Sequence, residues 1–133
     1  MLSIIIPTRN RSHFLGRLLQ YYGDVGCPHS IIVADSSDSD HLIDTQRVVD
    51  SLQTKLTVNH RTYGTDIEIR EKLSDALENV LTPYSAVAAD DDFLIPSSLS
   101  RAMQFLQEHP DYSVAHGDAV LFGLERDGAY GRI

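Results

Sequence analysis

The sequence predicts an α/β domain, a mostly parallel sheet with helices on both faces. Three observations carry this. Short apolar runs recur at residues 2–6, 31–34 and 84–89, the first two rich in β-branched residues. Segments with apolar residues at helical spacing separate them. Polar clusters follow each run directly, the pattern of strand ends in a parallel sheet.

The elements follow in order. Residues 2–6 are continuously apolar apart from Ser3 and stop at Pro7, which reads as a strand buried on both faces. The next segment places Phe14, Leu15, Leu18, Leu19 and Tyr22 on one helical stripe, with Ser12 as N-cap and Gly23 and Gly26 ending it. Residues 31–34 form the second strand, ending in Asp35-Ser36-Ser37-Asp38. Residues 39–52 read as a helix with Leu42, Val49 and Leu52 inward. Leu56 and Val58 mark a third strand, and residues 61–66 a polar loop around Gly64. A third helix directs Ile69, Leu73, Ala76, Leu77 and Val80 inward, and Pro83 closes it.

Residues 84–89 form the fourth strand and run straight into Asp90-Asp91-Asp92. Pro96 suits the first turn of a fourth helix, where its missing N–H costs nothing. Leu99, Ala102, Met103 and Leu106 are its inner face, and His109-Pro110 ends it. Residues 112–115 and 120–124 read as further strands, and residues 125–133 as a polar tail or the start of a second half.

Bulk composition narrows the function. The 133 residues suit one compact domain, and 42% of them are hydrophobic and clustered. With 19 acidic and 11 basic residues the net charge is −8, so the surface repels polyanions and nucleic acid is excluded as the main partner. A small phosphorylated ligand is compatible if a divalent cation bridges the like charges. Cys27 is the only cysteine, read as an inert free thiol in a reducing cytoplasm. No apolar run approaches the ~20 residues of a membrane span, so an integral membrane protein is not expected. The N-terminus has no signal-peptide pattern.

Ligands of open parallel sheets bind outside the carboxyl ends of the strands. Three adjacent carboxylates at such an end raise one another's pKa unless a cation neutralises them. Mg²⁺ and Mn²⁺ take oxygen ligands, often one or two carboxylates plus substrate phosphates. Asp90 and Asp92 are the candidate metal ligands; the competing reading has one aspartate capping the following helix and the others solvated. His13, His29, His41 and His109 read as surface residues, His60 and Arg61 as a solvated loop or a pocket edge, and His116 and Asp118 as a turn around Gly117. No zinc-type Cys/His spacing exists.

The segment Ser3-Ile4-Ile5-Ile6-Pro7-Thr8-Arg9-Asn10-Arg11 resembles the opening of the GT-A glycosyltransferases, specifically the large inverting family 2, with its V-I-P-(T/S)-x-N start. Ile32-Val33-Ala34-Asp35-Ser36-Ser37 is similar to that family's V-D-D-G-S, with Ala34 where the first aspartate usually stands. Asp90-Asp91-Asp92-Phe93-Leu94-Ile95-Pro96 is similar to its D-x-D motif with a proline a few residues on. The resemblance spans most of the chain. It implies a Rossmann-like GT-A fold over residues 1–124 that binds a nucleoside-diphosphate sugar, with a UDP-sugar favoured. Pro7, Thr8, Arg9 and Asn10 would line the nucleotide pocket, and Asp35 would contact the base. Asp90 would lie near the ribose and could join Asp92 in carrying Mn²⁺ or Mg²⁺ on the diphosphate; Asp91 exchanges roles with either. A basic residue at the start of the third helix is also implied, for which Arg70 and Lys72 both qualify.

The implied reaction is inverting transfer of a sugar to a hydroxyl of a glycan or other acceptor. It needs a general base, which that family places in an acceptor half beyond D-x-D. None of Glu108, Asp111, Asp118, Glu125 and Asp127 sits in a recognisable base motif, so the base is expected beyond Ile133. The chain is therefore expected to supply the donor half and to turn over poorly by itself. The rival readings are a nucleotide-binding module without turnover and a nucleotidyltransferase. The latter would show a glycine-rich basic loop where Pro7-Thr8-Arg9-Asn10 stands. An uncovered sheet edge also allows a homo-oligomer.

Overall fold

The structure is a computed structural model and describes residues 1–121. Its elements are β1 (Ser3–Thr8), α1 (Ser12–Asp24), β2 (Ser30–Asp35), α2 (Ser39–Leu52), β3 (Thr57–Thr62), α3 (Ile69–Glu78), β4 (Ser85–Val87) and α4 (Pro96–Glu108). The sheet runs β3-β2-β1-β4, and every pairing is parallel. The chain builds outward from β1 to β3, then crosses back to lay β4 on the other side of β1. Strand order thus reverses at β1, which opens a crevice beyond the carboxyl ends of β1 and β4. Thr8 is level with Asp35, and Asp35 with Thr62, so these ends form one rim.

β1 is apolar at successive positions because both of its faces are covered. Ile4, Ile6, Ile31 and Val33 pack with Leu15, Leu18, Leu19 and Tyr22 of α1 and with Val49 and Leu52 of α2. Leu99 and Met103 bring α4 onto the same face. Ile5, Ile32 and Ala34 point the other way, against Ala76 and Leu73 of α3. Ile4, Ile5 and Ile6 are all 0% exposed, and truncating any of them to alanine costs about 2–5 kcal/mol. Helices on both faces of a parallel sheet are what the sequence predicts.

Several local expectations are corrected. Arg11, not Ser12, occupies the N-cap of α1, and no side chain caps it. Ser12 instead pairs its hydroxyl with His41 of α2 at 2.8 Å. Gly23 lies inside α1, where an added Cβ would stand 3.2 Å from Leu52; Gly26, at φ +65°, follows the helix end. Residues 61–62 belong to β3, because Ala34 and Asp35 pair with Arg61 and Thr62 and the ladder outweighs their polarity.

α3 buries Lys72 and Ala76 while Ile69 and Leu77 stand about half exposed. The inward stripe is rotated because Lys72 is hydrogen-bonded to the strand ends. β4 keeps only three residues of the expected strand, although the Ala88 amide still reaches the Ile5 carbonyl at 3.0 Å. Residues 112–115 are not a strand. They pass the outer side of β4, where Ser113–Ala115 help line a groove of about 300 Å³ with Leu2, Leu99 and Met103. Val114 is 73% exposed there, with no sheet face to bury against. Residues 120–121 are also outside any strand. Residues 122–124 and the expected tail 125–133, Ile133 included, lie outside the described residues.

His29 is buried rather than on the surface, with Nε2 3.3 Å from both the Pro96 carbonyl and the Ser100 hydroxyl. Cys27 is buried, which pushes its thiol pKa up and leaves little thiolate. Among the described residues, no helix is long and apolar enough to cross a membrane.

Candidate functional site

The rim gathers the ends of β1, β2 and β4 around one buried lysine. Thr8 ends β1, and its hydroxyl donates to Asp90 Oδ2 at 2.7 Å, which ties β1 to the acidic run after β4. Lys72 Nζ donates to the Thr8 carbonyl at 2.9 Å and to the Ser36 hydroxyl at 2.8 Å, which ties in the end of β2. Lys72 is 3% exposed. Burial pushes its pKa down; Asp35 and Asp90 pull it back up, and Arg9 opposes them. An ammonium has three N–H donors, and the Thr8 carbonyl and Ser36 hydroxyl take two of them.

Asp35, at the end of β2, is fully buried. Its Oδ1 accepts from the Ser37 amide at 2.9 Å, and its Oδ2 lies 3.1 Å from His60 Nε2. Burial pushes the Asp35 pKa up, yet the bonds from His60 and Ser37 outweigh it and hold the carboxyl below the usual range. His60 Nδ1 faces the Gln46 carbonyl oxygen at 2.9 Å. The Gln46 amide nitrogen is committed to Asp50 at 2.8 Å, which fixes the side chain's orientation. A polar chain therefore runs from the surface of α2 to the floor of the rim.

The acidic run folds as a turn, closed by the Asp92 amide on the Ala89 carbonyl at 3.2 Å. Asp90 is turned inward at 4% exposure, whereas Asp91 and Asp92 are exposed. Burial raises the Asp90 pKa; the Thr8 bond and the Arg11 charge lower it, and Asp91 raises it. Arg11 spans the run, with Nε 3.0 Å from Asp90 Oδ1 and Nη2 paired with Asp91. Its guanidinium lies over the Phe14 ring, 4.4 Å from the centroid.

Asn10 is the one non-glycine with positive φ, at 54°, among the described residues. Asparagine tolerates that region because its short amide bonds locally. Here it makes a reciprocal pair with Asp38: its amide nitrogen donates to Asp38 Oδ2 and its carbonyl accepts from the Asp38 backbone, both at 2.8 Å. Its own backbone N–H donates to Ser37 Oγ at 2.7 Å. The side chain is therefore engaged with the neighbouring loop.

Thr8, Asp35, Lys72 and Asp90 are thus brought together, with Asn10 at the edge. Pro7 is level with Ala34 in the ladder, and Arg9 is exposed beside the rim. Arg70 stands outside it. Two positions from Lys72, it lies ~200° around α3, exposed with Glu68 and Glu71. The groups assembled here are ones that the resemblance assigned to the nucleotide and its metal. The general base expected beyond Ile133 has no counterpart among them, and Ile133 itself lies outside the described residues. Sequence pattern assigned no role to Arg11, Ser36 or Ser37. The legible signal for Arg11 was a cation directly after the Asn10 turn in a chain with a long acidic run.

Among the described residues, no three His, Cys, Asp or Glu side chains converge as a ligand set. Asp90 and Asp92 are oxygen donors of the kind Mg²⁺ and Mn²⁺ take, and both Asp90 oxygens are engaged here, by Thr8 and by Arg11.

No family model and no curated protein sequence matches the chain. Solved structures do. The crystal structure of S. aureus TarS 1-349 is similar with a TM-score of 0.67 and 20% identity, covering 81% of this chain and 32% of that one. The crystal structure of S. aureus TarS gives 0.66 and 21%, covering 81% and 20%. This chain therefore spans about a third of the first and a fifth of the second. Likeness at this identity is one of fold, and the fold is Rossmann-like, of the GT-A type.

Proposed function

We propose that this chain is the donor-binding part of an inverting, family 2-like glycosyltransferase, taking a nucleoside-diphosphate sugar with UDP-sugars favoured. The observation that supports it most is the single buried cluster in which Lys72 joins Thr8 to Ser36 while Thr8 holds Asp90. It sits at the switch in strand order, where nucleotide ligands of α/β sheets bind.

In this reading Asp35 accepts a base N–H at the floor of the pocket, held rigid by Ser37 and His60. Lys72 offers its third N–H to a phosphate oxygen. Asp90, fixed by Thr8, faces the ribose side, and Asp92 with Asp90 would hold Mn²⁺ or Mg²⁺ at the diphosphate. That cation, when bound, stabilises negative charge on the leaving diphosphate. The general base belongs to an acceptor-binding part beyond the residues described. The second reading is a nucleotide-binding module without turnover.

Calorimetry with UDP, GDP, CDP and dTDP in the presence and absence of Mn²⁺ tests the proposal. Metal-dependent binding of UDP, lost in Asp92→Ala with an unchanged melting temperature, is the expected result. Failure of all four nucleotides with metal present refutes it.

A further inference from the structure

Arg11 is the cation paired with the acidic run. Its guanidinium spans Asp90 and Asp91, the first two carboxylates of the acidic run. One oxygen of Asp90 belongs to Thr8 and the other to Arg11, so a cation binding Asp90 meets a carboxylate already neutralised. The grip is incomplete. Arg11 Nε lies 3.0 Å from Asp90 Oδ1 but makes no well-directed hydrogen bond, and it is buried. The side chains of Arg11 and Asp91 are 41% and 45% exposed, so the outer half of the contact faces water. Phe14 offers its ring face to the guanidinium, which keeps a partner there that is separate from the carboxylates. Asp90 would keep its position without Arg11, because Thr8 holds it independently.

Resting on the donor-site reading above, we infer that Arg11 is an exchangeable counter-cation. Without a nucleotide it neutralises the acidic run and competes with a divalent ion. A diphosphate, richer in charge and better matched to a guanidinium fork, draws it off the carboxylates and frees them for metal. Nucleotide and metal then bind with positive coupling, and the coupling is reciprocal.

Electron paramagnetic resonance titration of Mn²⁺ into the chain tests this, with no nucleotide, with UDP and with uridine. UDP should tighten Mn²⁺ binding by roughly 10-fold or more, within the usual span of such couplings, and uridine should not. In Arg11→Gln, Mn²⁺ alone should bind several-fold tighter than to the wild type, and the UDP effect should shrink to the direct bridging of metal by phosphate. Equal Mn²⁺ affinity and equal coupling in the two proteins overturn the inference. A measurement on the unmutated chain guards against a misfolded variant. The Arg11 Nε signal in ¹⁵N side-chain NMR should move on adding UDP without metal, and a stationary signal at saturating UDP overturns the inference. If the wild type binds no UDP under any metal condition, the donor-site reading itself falls, a result distinct from UDP binding without coupling.

Discussion

Replacing Lys72 with methionine separates the role of the buried ammonium in the fold from its role toward a ligand. Lys72 is 3% exposed and its two protein bonds, to Thr8 and Ser36, lie at 2.9 and 2.8 Å. Bonds from a charged donor are worth about 1.5–3 kcal/mol each, and removing them leaves a carbonyl and a hydroxyl short of a partner. Against that, a buried ion carries a desolvation cost of several kcal/mol, which the methionine does not. The two effects nearly cancel, so the expected net destabilisation is about 0–2 kcal/mol, a fall in Tm of at most roughly 8 °C. Nucleotide binding has no such compensation. Loss of one charged hydrogen bond to phosphate, about 1.5–3 kcal/mol, weakens UDP roughly 10- to 150-fold. Uridine, lacking phosphate, should be affected less than about 2-fold. Calorimetry with both ligands decides: an unchanged UDP affinity, or equal losses for UDP and uridine, refutes the assignment. Titration adds a second signature. The pKa of Lys72 is lowered from its ordinary 10.5, so between its folded value and 10.5 the unfolded chain binds more protons. Stability contributed by this residue therefore rises with pH across that window, and Lys72→Met should abolish the rise.

His60→Ala removes a bond to a buried carboxylate and should cost about 1–3 kcal/mol in urea melts at pH 7. Because Asp35 is held below its ordinary 3.8, its contribution is complete above 3.8 and is lost as pH falls through the lower folded value. In His60→Ala that loss should begin at higher pH, and melts from pH 2 to 6 read the displacement. Asn10→Ala combines left-handed backbone strain of about 1–2 kcal/mol with the loss of both Asp38 bonds, and should destabilise by about 2–4 kcal/mol. Asn10→Gly should recover the strain alone, leaving in thermal melts the deficit of about 1–2 kcal/mol from the lost Asp38 bonds.

The fold was legible where one physical effect dominated. β1 and β2 announce themselves because two-sided burial demands unbroken apolar runs, and the apolar spacing of α2 marks its buried stripe at Val49 and Leu52. Legibility failed where tertiary contacts outweighed local pattern. The polar residues Arg61 and Thr62 became strand because β2 offered them partners, and α3 turned a lysine inward because three strand ends supplied hydrogen bonds and charge for it. Val114 looks like strand yet forms no ladder with β4, which it passes, and stands 73% exposed. Within the site, sequence located the strand ends and the acidic run. It left Arg70 and Lys72 equivalent, and only the position of α3 over the sheet distinguishes them. The links from Asp35 to His60 and from Arg11 to Asp90 join residues 25 and 79 positions apart, so no local spacing rule reaches them.

The reciprocal amide bond between Asn10 and Asp38, with the Asn10 backbone bound to Ser37, makes the segments after β1 and β2 a single hydrogen-bonded plate. Anyone re-engineering ligand preference here cannot exchange one loop at a time. A graft that alters residues 9–11 while leaving 36–38 intact strands half of each bond, and its phenotype would report the broken seam instead of the new chemistry. The natural unit of transplantation is both loops together, and libraries that vary them jointly will sample pockets instead of fractures.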